Sequence, residues 1–261
     1  MKLLLPFLLL IALNVQAQQK MQWPKHKKAV IVLTYDDALE SQLDNAVPQL
    51  QAAGFKATFF LTGDINAITI PRWRKLAKKG FELGNHTLFH PCLVSDNPTS
   101  SANYTVHGIV AEIEVMNHFL TAVDSKFFRT YAYPCTETTV GNGKDYVDSL
   151  KRSNLIKYAR VGGDADAIVI DFKHLNPLLV PSYGLGGNNT GDQLIAFVKN
   201  VEEKGGMGIF MFHGIGGDYI TTSAEAHQQL ITYLKAHKKE IWVTTFQQAM
   251  DYIEQQNKLN P

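Results

Sequence analysis

Short apolar runs alternate with amphipathic stretches along most of the chain, and this alternation limits the fold more than any other feature. Ala29 to Tyr35 (AVIVLTY) is uncharged and rich in β-branched residues, the composition of a strand buried on both faces. A helical stretch follows, Ser41 to Ala53, stopped by Gly54. Next come a strand at Ala57 to Leu61, a helix at Pro71 to Lys79 with Pro in its first turn and Gly80 after it, and a strand at Phe81 to Asn85. Val106, Ile109, Val110, Ile113, Met116 and Leu120 recur at helical spacing within Thr105 to Ala122, ahead of a strand-like run, Phe127 to Tyr133. Helices at Lys144 to Arg152, Asp192 to Lys204, Ala224 to His237 and Phe246 to Gln256 alternate with strands at Ile156 to Val161, Met207 to Phe212 and Ile241 to Thr244. Asp164 to Ser182 holds one or two short strands. The alternation predicts a parallel α/β sheet, open or closed into a barrel, in one domain over residues 25–257.

The first residues read as a signal peptide, residues 1–17. Lys2 supplies a positive charge, Leu3 to Leu13 an apolar core, and Val15-Gln16-Ala17 a small-residue cleavage site. The apolar run is about half of the ~20 residues a membrane-spanning helix needs. A mature chain starting near Gln18 is therefore expected in a secreted or periplasmic location. Twenty-five Lys+Arg against 24 Asp+Glu leave a net charge of +1, which gives no electrostatic footprint for nucleic acid or an anionic membrane. In an oxidising compartment the only two cysteines, Cys92 and Cys135, could form one disulfide.

Three polar clusters follow predicted strands, at the edge where parallel α/β folds build their sites. The first is Asp36-Asp37, the second His86 and His90 within Asn85-His-Thr-Leu-Phe-His-Pro91, and the third His213-Gly214. Two imidazoles four residues apart would share one face of a helical turn, a spacing suited to one tetrahedral metal, although Pro91 argues for a loop. Such a pair alone is weak, and either Asp could instead cap the following helix. His26, His107, His118, His174, His227 and His237 read as surface residues.

In this order, the clusters resemble the polysaccharide deacetylases of carbohydrate esterase family 4, the NodB-homology domain. The family's motif T-[FY]-D-D-[GA] stands here as Thr34-Tyr35-Asp36-Asp37-Ala38, H-[ST]-x-x-H-P as His86 to Pro91, and the late apolar-x-H motif as Met211-Phe212-His213. The resemblance implies a distorted (β/α) barrel of about seven parallel strands. It implies that Asp37, His86 and His90 bind a divalent metal, usually zinc, that Asp36 is the general base and that His213 is the general acid. It further implies hydrolysis of acetyl groups on a polysaccharide or oligosaccharide. N-acetyl sugars, O-acetyl substrates such as acetylxylan, and a catalytically silent carbohydrate-binding relic of the fold all stay open. The third motif, R-x-P-[YFW]-G, is altered: Pro134 matches within Ala132-Tyr-Pro-Cys135, while Arg129 sits earlier than the arginine that orients the base. Cys135 would keep the backbone N–H that helps form the oxyanion hole. The fourth motif has no clear match, though Asp164, Asp166 and Tyr183 lie in the right part of the chain. Tyr131, Tyr133, Tyr183 and Tyr219 are candidates for stacking on sugar rings. Cys92 and Cys135 follow the second and third motifs directly, so a bridge between them would tie two rim loops together, worth up to about 4 kcal/mol by chain entropy. The alternatives are free thiols or a soft-metal pair.

Overall fold

The computed structural model describes residues 21–94, 98–164 and 167–259. The expected signal peptide lies outside them, as does Asp166. Among the described residues no helix is long and apolar enough to cross a membrane.

The strands are β1 (Ala29–Asp36), β2 (Thr58–Leu61), β3 (Glu82–Asn85), β4 (Thr130–Ala132), β5 (Thr139–Val140), β6 (Lys144–Asp145), β7 (Tyr158–Arg160), β8 (Ile168–Val169), β9 (Tyr183–Gly184), β10 (Met207–Phe212) and β11 (Ile241–Thr244). The helices are α1 (Val47–Ala53), α2 (Ile70–Lys78), α3 (Val106–Asp124), α4 (Val147–Ser153), α5 (Gly191–Lys204), α6 (Ala224–Ala236) and α7 (Phe246–Leu259). Their starts and stops follow ordinary capping chemistry. The Thr105, Thr190 and Ser223 side chains accept from the first turns of α3, α5 and α6, and Gly54 and Gly205 close α1 and α5 in the left-handed conformation.

The central path of the sheet runs β7-β4-β3-β2-β1-β10-β8, parallel except for β8. The curved sheet closes through one extended segment. Val180 pairs with Arg160 at the end of β7, and a few residues later β9 pairs with β10. Around this ring lie β1, β2, β3, β4, β7, the Val180–Gly184 segment and β10, the distorted barrel of about seven strands. β1 is buried along its whole length because both of its edges are used. One edge pairs with β10, from Val30 against Met207 to Tyr35 against Phe212. The other pairs with β11 over Ala29–Val32 and with β2 over Thr34–Asp36.

Strand alternation sorts the core into two faces. Ala29, Ile31, Leu33 and Tyr35 pack outward with Leu50 of α1, Leu194 of α5 and Leu230 of α6. Val30, Val32, Phe60, Ala132 and Ile209 pack on the other face with Phe246, Ala249 and Met250 of α7. Several elements are shorter than the sequence pattern suggests. Phe127 and Phe128 are exposed and only Thr130–Ala132 is strand, while the start of the expected helix at Lys144 instead pairs with β5 as a small hairpin.

Candidate active site

All three clusters meet at the C-terminal mouth of the barrel. Asp36 is the last residue of β1, and Asp37 and Ala38 turn away from it with positive φ, 77° and 58°. A non-glycine residue in that region is strained and is held there by its surroundings. The turn cancels the strand alternation that would point the two carboxylates to opposite faces, so both reach the same imidazole. His86 Nε2 is 3.3 Å from Asp37 Oδ1 and 3.9 Å from Asp36 Oδ2. Just beyond, the helical segment opens with a π-turn at Gln42–Ala46, from which Gln42 Nε2 donates to the carbonyls of Asp36 (2.5 Å) and His213 (3.1 Å). One side chain thus ties the ends of β1 and β10 together. Neither Asp36 nor Asp37 caps a helix.

His86 and His90 converge without the helical turn that their spacing suggests. The segment leaving β3 is a tight loop with positive φ at Thr87 (65°) and His90 (49°). Its N–H groups are claimed by buried side chains: Asn85 Oδ1 accepts from Thr87, Glu112 Oε1 of α3 from Leu88 and Phe89, and Thr87 Oγ1 from His90. The two Nε2 atoms end 3.1 Å apart, and His90 Nε2 is 3.4 Å from Asp37 Oδ1. His86 Nδ1–H donates to the Ala132 carbonyl at 2.8 Å, which turns the Nε2 lone pair into the cluster.

The residues fit a divalent metal. Ligands about 2.0–2.1 Å from a tetrahedral ion stand roughly 3.3 Å from one another, close to the three separations found here. Asp37 Oδ1 is buried with no hydrogen-bond partner. Burial alone would raise the Asp37 carboxyl, but the close approach of His86 and the positive charge that the surrounding histidines can carry outweigh this and hold it well below the usual range. Burial, helped by His86, lowers His90 to about 4, which leaves a neutral imidazole at neutral pH.

Asp36 is almost wholly buried, and its Oδ2 is held by the Arg160 guanidinium in a buried ion pair. Arg160 ends β7, lies over the Phe60 ring and donates to Ser182 Oγ at 3.1 Å. Arg129 is elsewhere. It makes a fork to Asp124 at 2.6 and 2.8 Å and donates to the Leu83 carbonyl, a structural pair at the start of β4. The arginine beside the first carboxylate therefore comes from β7 rather than from the altered third motif. His213 places Nε2 3.8 Å from Asp37 Oδ2, and its Nδ1 is buried with no partner.

Of the aromatic candidates, only Tyr219 stands at the mouth. It is half exposed, with its ring 6.4 Å from that of His213. Tyr131 is fully buried with its hydroxyl on that of Tyr146, Tyr133 packs beside it, and Tyr183 stacks on Phe197 at 4.4 Å under α5. Tyr131 and Tyr133 are thereby enclosed, while Tyr183 is partly buried. His227 is likewise not a surface residue. It is fully buried, sharing hydrogen bonds with Tyr35 (2.7 Å) and Gln49 (2.6 Å).

Cys92 and Cys135 form a disulfide, with Cα atoms 5.7 Å apart. It joins the loop after His90 to the turn Pro134–Thr136, where Thr136 and Glu137 donate their N–H groups to the carbonyls of Tyr133 and Pro134. Cys135 itself sits at φ 49° in that turn.

A barrel whose mouth carries two carboxylates, two convergent imidazoles and a third histidine defines a class of α/β protein whose site could hold a metal ion, and comparison narrows it. The polysaccharide deacetylase profile matches residues 24–149, and the chain is similar to that family over this part of its length. It is 33% identical over 106 residues to a peptidoglycan-N-acetylglucosamine deacetylase of Bacillus cereus, covering 40% of this chain and 36% of that one. It is 25% identical over 256 residues to a gellan lyase of a Bacillus species, covering 90% of this chain and 10% of the lyase. The chain thus spans only a minor part of these relatives. Among solved structures it resembles the peptidoglycan deacetylase PdaC of Bacillus subtilis (TM-score 0.57, 19% identity, 89% of this chain and 94% of that one). It also resembles a family 4 acetyl xylan esterase of Clostridium thermocellum in complex with a cobalt ion (0.54, 19%, 84% and 89%). A family 4 pseudoenzyme shares the fold as well (0.55, 19%, 87% and 69%).

Proposed function

We propose that this chain is a divalent-metal-dependent hydrolase that removes acetyl groups from a polysaccharide or oligosaccharide outside the cytoplasm. The observation that carries this reading is the Asp37–His86–His90 triangle set beside an Asp36 carboxylate that Arg160 holds in place. Asp37, His86 and His90 would hold the metal, most simply zinc given two imidazoles and one carboxylate. When bound, the ion polarises the acetyl carbonyl and acidifies a water molecule. Asp36 is the general base. Arg160 fixes its Oδ2, while its Oδ1 has no partner and is free to accept the proton of the attacking water. The Cys135 N–H is the backbone donor we assign to the developing oxyanion. His213 delivers a proton from Nε2 to the departing nitrogen or oxygen, a step an amide needs most because its anion is a poor leaving group.

N-deacetylation and O-deacetylation use the same groups, and an acetylxylan-type ester is the second reading. The pseudoenzyme neighbour keeps a third one in view, a silent binding domain, since fold alone does not carry activity. The complete set of Asp36, Asp37, His86, His90 and His213 favours catalysis. The test is acetate release from acetylxylan and from N-acetylglucosamine oligomers, with zinc and after chelation. Metal-dependent release that Asp36→Asn lowers by about 10²–10⁴-fold is the expected result. The substrate that responds chooses between amide and ester. A folded, metal-loaded chain that binds these glycans and releases no acetate would overturn the enzymatic reading in favour of the binding domain.

A further inference from the structure

We propose that reduction of the Cys92–Cys135 disulfide creates a second metal site, formed by Cys92 Sγ, Cys135 Sγ and His90 Nδ1, that competes with the Asp37–His86–His90 centre for one imidazole. Only the competition rests on the function proposed above; the thiolate site stands on its own geometry.

His90 faces two ways. Its Nε2 points into the carboxylate–imidazole cluster, 3.4 Å from Asp37 Oδ1, while its Nδ1 lies 3.5 Å from Cys92 Sγ. The ligating atoms of His90, Cys92 and Cys135 all lie within 4.8 Å of one another. For a tetrahedral zinc with Zn–S near 2.3 Å and Zn–N near 2.0 Å, a sulfur and a nitrogen ligand stand about 3.5 Å apart, the separation already present. The Cα atoms of the two cysteines, 5.7 Å apart, leave room for the sulfurs to separate around an ion once their bond is gone. The bond is open to attack, because Cys135 is exposed and Cys92 and His90 are half-buried.

The chemistry balances with an external reductant such as a trialkylphosphine. The S–S bond breaks, each sulfur gains an electron and a proton, and the phosphine takes up the oxygen of the water that supplies both protons. A divalent ion then displaces the two thiol protons to solvent. Soft sulfur donors favour zinc, cadmium or cobalt over magnesium or calcium. A neutral imidazole has one lone pair, so His90 cannot serve both ions at once. An ion held by the thiolates takes Nδ1, puts the imidazole proton on Nε2 and removes one ligand from the other centre.

Cobalt(II) reports the ligand type directly, because thiolate ligation adds a near-ultraviolet sulfur-to-cobalt charge-transfer band. The metal-free full-length mature protein is titrated with cobalt before and after anaerobic phosphine reduction, with near-ultraviolet circular dichroism to monitor the fold. The proposal expects no such band in the oxidised protein and a band that saturates at one ion per chain after reduction. Cys92→Ser should lose it, and Asp37→Ala, which disables only the other centre, should keep it. A reduced, folded wild type that shows no band, or a reduced chain that unfolds before binding, would overturn the proposal. Cobalt binding that fails only in the oxidised protein would instead count against the Asp37–His86–His90 centre and leave the thiolate site standing.

Discussion

Adjacent residues on a strand face opposite ways, yet Asp36 and Asp37 both reach His86, because the chain leaves β1 at Asp37 with φ 77°. One carboxylate thereby faces the two imidazoles and its neighbour an arginine. The Arg160 pairing leads to a testable split between binding and turnover. Arg160→Met should leave metal content unchanged and lower kcat by about 10²-fold through loss of orientation at the base, measured as acetate release alongside elemental analysis. A loss of metal together with activity would mean that Arg160 organises the whole mouth instead. The two Asp and three His residues were legible because order and spacing along the chain identify them. Arg160 was not, since its partner lies 124 residues away and a lone arginine ending a strand carries no local signal. Tyr131 misled for the matching reason: which face a strand residue presents is decided by register, and register is set by distant partners.

At the scale of elements, the loop after β3 is shaped from beneath by α3, whose Glu112 and Asn117 reach Leu88, Phe89 and Asn85. The apolar spacing of α3 made the helix legible but not the polar residues on its buried side, because buried polar groups break the very period that reveals a helix. Arg129 illustrates an element held by a charge pair away from the chemistry. Arg129→Met leaves the buried Asp124 without its partner and should cost about 3–5 kcal/mol in denaturant unfolding, with kcat per folded molecule unchanged. The bridge between the two rim loops closes a segment with a sequence separation of 43, so Cys92→Ser with Cys135→Ser should lower stability by up to about 4 kcal/mol. The hairpin of β5 and β6 follows just after that closed segment and had no apolar alternation to announce it.

For the molecule as a whole, the strand–helix rhythm was enough to foresee a parallel barrel, while its closure was not readable, because it depends on Val180 to Gly184, a stretch with neither period. The buried His227 bears on global stability. An unfolded imidazole takes up its proton near 6.5, whereas burial lowers His227 to about 3. Between those values the unfolded state holds more protons. The contribution of His227 is therefore fully present above pH 6.5 and is lost as the pH falls toward 3, by at most about 1.4 kcal/mol per pH unit. His227→Gln should remove that loss, so the difference between the two stability–pH curves should change only in that window, as read by urea unfolding; parallel curves would show that His227 does not titrate there. The pairing of β1 has a consequence of a different kind, for how the chain comes together. The strand that carries Asp36 comes far ahead of its partners along the chain, and both of its lower edges wait for residues 207–212 and 241–244. A growing chain therefore has this strand long before its lower half has neighbours, and completing the sheet is postponed until residue 244 has been made.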